Sequence, residues 1–219
     1  VIISYSGRFV VHHLEKTGGT TVERSIWPHL KQYDLYLRDW QAFVLSPNRF
    51  INEHSGAVGS ADFLGDSWHS FKKFSTVRSP IEIMQSMYSF GRYIVNNTPR
   101  EESLPYGVAT AYEASHVSHT GTSGFVDYML SHDFFMIQPQ SVRLGPMLGD
   151  GMIVDLSMLD NKWEDVTDYL GFKNKVPMLR HRVLGSSDVK LSTDTKQKIK
   201  KWFRADYEIF PEITGIEWR

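Results

Sequence analysis

The chain has no cysteine, and that absence removes disulfide staples, thiol nucleophiles and zinc–thiolate centres together. It has no apolar run of about 18 residues and no signal-peptide pattern, so no membrane span is expected. Nor does it carry an excess of one charge. With 24 Lys+Arg against 25 Asp+Glu the formal net charge is -1. Global attraction to nucleic acid or to acidic membranes is thereby excluded, and any polyanion site has to be local. Internal repeats and low-complexity tracts are missing as well. What remains is 219 residues, 41% hydrophobic and 22% charged. That is enough for one enzyme domain, residues 1–219, with a core of its own.

The most informative stretch is Phe9 to Ser25, FVVHHLEKTGGTTVERS. A short apolar strand leads into Lys16, Thr17, Gly18, Gly19, Thr20 and Thr21, and an amphipathic helix follows. A glycine-rich turn between strand and helix gathers backbone N–H groups around one point, with the helix N-terminus and Lys16 adding positive potential. Such a turn suits a phosphate or a phosphosulfate. Equally, glycine at positive φ with threonine N-caps makes a plain strand–turn–helix junction. The lysine precedes the glycines, unlike GxxxxGK[ST] of ATPases.

A second phrase, FSTVRSPIE from Phe74 to Glu82, runs from a β-rich segment into a helix start. Ser79 fits the N-cap, Pro80 the first helical position and Glu82 the third, as in a capping box. Ile83, Met84 and Met87 then make an apolar stripe at helical spacing. Helix initiation explains neither Arg78 at the strand end nor Ser86 two turns in.

These two phrases, in this order, resemble the donor-binding segments of PAPS-dependent sulfotransferases. The likeness is closest to the carbohydrate branch of heparan sulfate 2-O- and 6-O-type enzymes. His13-Leu14-Glu15-Lys16-Thr17-Gly18-Gly19-Thr20-Thr21 is similar to HIPKTGGTT, with Glu15 where the family has proline. An acidic residue beside an anion site is repulsive, so Glu15 is expected to point away from the donor. TVRSPIEIMQSMY is similar to TVRDPVERLVSHY. That resemblance implies Arg78 and Ser86 as binders of the donor's 3′-phosphate, with Lys16 and the loop residues Thr17 to Thr21 holding the 5′-phosphosulfate. A forked guanidinium and a neutral hydroxyl are apt ligands for a phosphate.

A general base is also needed. Arg49 to Gly56, RFINEHSG, places His54 at the end of a predicted strand, where parallel α/β sheets put their chemistry. In the family a histidine or glutamate between the two donor motifs is catalytic, which implies His54, with Glu53 as the competing residue. Adjacent strand residues face opposite sides, so only one of them is expected to line the site. Of His12 and His13, at least one reads as a structural histidine under the loop. His116 and His119 share a helix face without a third ligand at metal spacing, so no metal is expected.

The remaining segments are coarser. QPQSVRL, Gln138 to Leu144, is similar to the family's NPQTRYL. Gln140 and Arg143 would either touch an anionic acceptor or fix a helix to the sheet. Met152 to Leu156 reads as a buried strand. Leu159, Trp163, Val166 and Leu170 read as a helical core stripe ending at Gly171. Asn96 to Gly124 is the least regular part and a candidate acceptor-binding excursion. Arg182 and Ser186, in a basic serine-containing loop, are further donor contacts by resemblance. A closing helix follows, with Ser192 as cap and Ile199, Trp202, Phe203 and Phe210 on its buried side. Lys196, Lys198, Lys200, Lys201 and Arg204 make its solvated face.

The expected fold is α/β: one P-loop-like domain, a mainly parallel central sheet and helices on both faces. The resemblance implies sulfuryl transfer from PAPS to an acceptor hydroxyl, a glycan in that branch, with PAP as product and no metal. A P-loop kinase or NTPase, or a non-catalytic PAP-binding module on the same fold, are the alternatives. Animal Golgi relatives of the family are membrane-anchored and commonly disulfide-bonded, so a cysteine-free chain points to a bacterial or viral cytoplasmic protein. A trimmed catalytic domain beginning at Val1 would instead belong in the Golgi lumen, as would use of the sequon Asn96-Asn97-Thr98.

Overall fold

A computed structural model describes residues 1–37, 42–46, 49–97, 121–131, 137–180 and 189–218. The strands are β1 (Ile2–Ser4), β2 (Phe9–His12), β3 (Leu35–Tyr36), β4 (Ala42–Ser46), β5 (Arg49–Asn52), β6 (Lys72–Val77) and β7 (Met152–Asp155). The helices are α1 (Gly19–Ile26), α2 (Ala57–Leu64), α3 (Pro80–Asn97), α4 (Gly121–Ser131), α5 (Gln140–Leu144), α6 (Leu159–Leu170), α7 (Thr193–Trp202) and α8 (Arg204–Thr214). The chain folds as two compact units. One comprises Val1–Arg78, Gln140–His181 and Phe210–Glu217, and the other Ser79–Pro139, Arg182–Ile209 and Trp218–Arg219.

The first unit is α/β. Its five-stranded sheet has the order β3-β1-β2-β6-β7. The pairs β2–β6 and β6–β7 are parallel, while β1–β2 and β1–β3 are antiparallel. The sheet is therefore mixed: β3, β2, β6 and β7 run in one direction, in keeping with the mainly parallel sheet that the sequence predicts, and β1 is reversed among them. Only Tyr5 to Arg8 separates β1 from β2, too short for a crossover, so that pair has to form a hairpin. Side chains alternate across the sheet as strand geometry requires. Phe9, Val11 and Phe74 face one side, where they pack with Val22 and Ile26 of α1 and Leu159, Trp163, Val166 and Leu170 of α6. His12 and Lys73 face the other, against Trp68 and Ser60 of α2. Helices thus cover both faces. Each fully buried aliphatic or aromatic side chain of this cluster contributes about 1.5–3 kcal/mol. The α6 stripe ends at Gly171 as its spacing predicts. Gly171 has φ 93, and its N–H and that of Phe172 both return to the Thr167 carbonyl.

The second unit is helical. Ile81, Ile83, Met84 and Met87 of α3 pack with Phe125, Val126 and Met129 of α4 and with Ile199 of α7 and Phe203. Ser192 caps α7, its Oγ accepting the Thr195 N–H at 3.1 Å. Two features of the C-terminal segment depart from expectation. The predicted closing helix is interrupted at Phe203, between α7 and α8. Ile199, Phe203 and Phe210 are buried, but Trp202 is 43% exposed. Its indole N–H donates to the Ile137 carbonyl at 3.1 Å, a bond that needs a place at the rim of the unit.

Candidate functional site

The loop after β2 is built from beneath. Thr17 is fully buried, its hydroxyl donating to the Leu14 carbonyl at 2.9 Å and accepting from Thr76 Oγ1 at 3.3 Å. Its side chain belongs to the floor of the loop. Lys16 has φ 63, a left-handed backbone that costs an L-residue about 1–2 kcal/mol. Gly18, the N-cap of α1, has φ 88, and a Cβ there would lie 2.4 Å from Leu156 Cδ1. A Cβ on Gly19 would lie 2.0 Å from His13 Cδ2. His13 is therefore a histidine under the loop, as expected for one of that pair. His12 is the other buried one, its pKa pushed down to about 3, chiefly by burial.

Gly19 provides a test of this packing. In an ordinary first helical turn alanine is favoured over glycine by up to about 1 kcal/mol. Here Gly19→Ala is expected to destabilise by about 1–3 kcal/mol through overpacking on His13. Urea unfolding reads the sign, and a stabilised variant would contradict the described contact.

Arg78 follows β6 directly, so the parallel pairing of β2 with β6 brings it to the same sheet edge as the loop. Its Nη1 donates to the Lys16 carbonyl at 3.3 Å. Gln140 clamps the Arg78 main chain from both sides, its Oε1 accepting the N–H at 3.1 Å and its Nε2 donating to the carbonyl at 2.8 Å. Burial, and then the Arg78 charge, lower the Lys16 pKa to about 8. Both side chains are half-buried, and an anion beside them would ease the repulsion that Arg78 exerts on Lys16.

His54 reaches this edge by a route the sequence does not predict. The strand before it, β5, pairs antiparallel with β4 in a separate two-stranded sheet, and so is no part of the parallel core. The turn after β5 carries both Glu53 and His54 toward His13. Glu53 Oε1 is 3.8 Å from His13 Nδ1, and the His54 and His13 rings stack edge to face at 4.8 Å. The expectation that only one of the two faces the site is corrected: strand alternation ends at Asn52, and a turn is free to aim neighbours together. His54 Nδ1 lies 3.3 Å from the His13 carbonyl. A carbonyl only accepts, so Nδ1 holds the proton and Nε2 is the basic nitrogen. Burial is the largest influence on its pKa and brings it below the usual value, against Glu15 and Glu53, which pull it up. At pH 7 the ring is neutral.

Glu15 is buried and paired with Arg143, whose Nη1 donates to Glu15 Oε2 and whose Nη2 donates to the His54 carbonyl. Of the two roles open to Gln140 and Arg143, their contacts are those of braces: Gln140 on the Arg78 main chain, Arg143 on the His54 turn. Sequence reasoning missed Glu23, which accepts from His13 Nδ1 at 3.0 Å. His13, Glu23 and Glu53 bring one ligand-type atom each within 4.8 Å of one another, and their closest approach is this hydrogen bond. Ser86 lies in the second turn of α3 and is buried. Arg182 and Ser186 lie outside the described residues, as do His116, His119, His181 and the excursion from 98 to 120. Compared with known proteins, the chain matches no family model, no curated protein and no solved structure.

Proposed function

We propose that this chain transfers a sulfuryl group from PAPS to an acceptor hydroxyl, on a P-loop-like α/β scaffold. One observation carries the reading: Lys16 and Arg78, from separate donor-type phrases, meet at the C-terminal edge of the parallel pair β2–β6. In this reading Lys16 and the amides of Gly18 to Thr21 hold the 5′ end of the donor, and Arg78 holds the 3′-phosphate. PAPS supplies the activated sulfuryl group when bound, with PAP as the product. His54 Nε2 takes the proton of the acceptor hydroxyl, and its neutral state at pH 7 makes it able to do so. Lys16 meets the negative charge that develops on the leaving side, and preorganised positive groups of this kind supply the larger part of an enzyme's acceleration. A glycan acceptor is proposed on the resemblance alone.

Transfer of labelled sulfate from PAPS to a panel of carbohydrate, phenolic and lipid hydroxyls tests the activity. Tight PAP binding without transfer to any of them would replace the enzyme by a binding module.

The Lys16 environment gives a second expectation. A bound dianion stabilises the ammonium, so the Lys16 pKa rises from about 8 when PAP binds. PAP binding should then take up protons between about pH 8 and 9, with affinity falling as pH rises through that window. Calorimetry in buffers of different ionisation enthalpy measures the uptake. Zero uptake at pH 8 would mean that Lys16 does not face the ligand.

A further inference from the structure

Glu15 stands where the resembling family has proline, and the fold buries it beside the proposed base. One carboxylate oxygen, Oε2, takes the Arg143 guanidinium. The other, Oε1, is buried with no hydrogen-bond partner among the described residues, and lies 3.7 Å from His54 Nδ1. A buried carboxylate oxygen left without a donor is costly, so its persistence calls for a reason. An N–H placed to satisfy it is the one His54 directs at the His13 carbonyl, 3.3 Å away. A modest turn of the imidazole exchanges one acceptor for the other. Arg143 joins the two partners from behind, one nitrogen on Glu15 and the other on the main-chain carbonyl of His54.

We propose that Glu15 is the positioning partner of His54: Oε1 accepts the Nδ1 proton when Nε2 gains one, holding the ring in place and stabilising the imidazolium. Arg143 keeps Glu15 aimed. The reacting proton moves from the acceptor hydroxyl to Nε2, and the proton on Nδ1 stays on His54. This role rests on His54 being the base of the proposed transfer, although the pairing of the two side chains does not. Among the described residues, charged or titratable groups that bear on His54 include Glu15 from the loop after β2, His13 beneath it, Glu53 in its own turn, and Arg143 from α5. Glu15 is the foremost of those that favour the charged ring, with Glu53 behind it.

The test is a histidine NMR titration of the full chain, with the His54 signal assigned by its loss in His54→Gln. In Glu15→Gln the His54 midpoint should move to lower pH, because the carboxylate that favours the imidazolium is gone. The acidic limb of kcat/KM should move with it. Turnover on the pH plateau should fall about tenfold with donor KM unchanged, short of the ~10²–10⁴-fold supplied by a whole general base. An unmoved midpoint overturns the proposal. Should Glu15→Gln not fold, the unsubstituted chain decides: the Glu15 carboxyl carbon resonance should shift at the His54 midpoint, and a flat response overturns the pairing. If the chain transfers no sulfate but the midpoint moves as described, the pairing stands and the sulfotransferase reading falls.

Discussion

Replacing Lys16 by alanine should lower kcat by about 10²–10³-fold while weakening PAP binding by no more than about tenfold. The asymmetry follows from where the charge is needed. With a pKa of about 8 the side chain is largely ammonium at pH 7. A cation beside the leaving oxygen gains most when that oxygen becomes more negative, which happens in the transition state and less in the bound product. The substitution is also mild for the backbone. Lys16 sits at φ 63, and alanine bears the same left-handed cost as lysine, so the loop should keep its shape. Steady-state kinetics with PAPS, paired with PAP calorimetry, separates the two effects. A large loss of PAP affinity with turnover intact would make Lys16 a binding group only.

Arg78 should behave in the opposite sense. Arg78→Ala is expected to weaken PAP binding about 10–100-fold, the worth of one or two charge-assisted hydrogen bonds, with a smaller effect on turnover at saturation. Arg78→Lys should recover little, since an ammonium does not reproduce the guanidinium fork. Because Gln140 holds the main chain of residue 78, the side chain is removable without releasing the strand end. Thermal melting checks that. Unchanged PAP affinity in Arg78→Ala would remove the donor assignment.

Much of this geometry is legible in the residues because it is local. The strand–loop–helix of Phe9 to Ile26, the start of α3 at Pro80, and the α6 stripe ending at Gly171 each follow from periodicity and from glycine or proline placement within a few positions, although the N-cap of α1 is Gly18, with no threonine side chain capping it. Three features were not legible, and the last is set by a contact across a long separation. The direction of β1 is dictated by the short link to β2 and by its pairing with β3. The placement of His54 comes from a β4–β5 hairpin, whose apolar run alone reads equally well as a parallel strand. The burial of Glu15 depends on Arg143, a residue 128 positions away. No sequence signal joins them. Trp202 fell on the wrong side because helical spacing places it beside Phe203, while its hydrogen bond to Ile137 favours the rim.

The claim on which the rest stands is that the Lys16 loop and Arg78 hold one nucleotide bearing phosphate at both ends of its ribose. Calorimetry of the full chain with PAP, set against ATP with magnesium, addresses it before any acceptor is known. PAP should bind without metal, more tightly than ATP by at least about tenfold, and that preference should vanish in Arg78→Ala. Equal or stronger binding of magnesium–ATP, or a preference for PAP that survives the loss of Arg78, would contradict it.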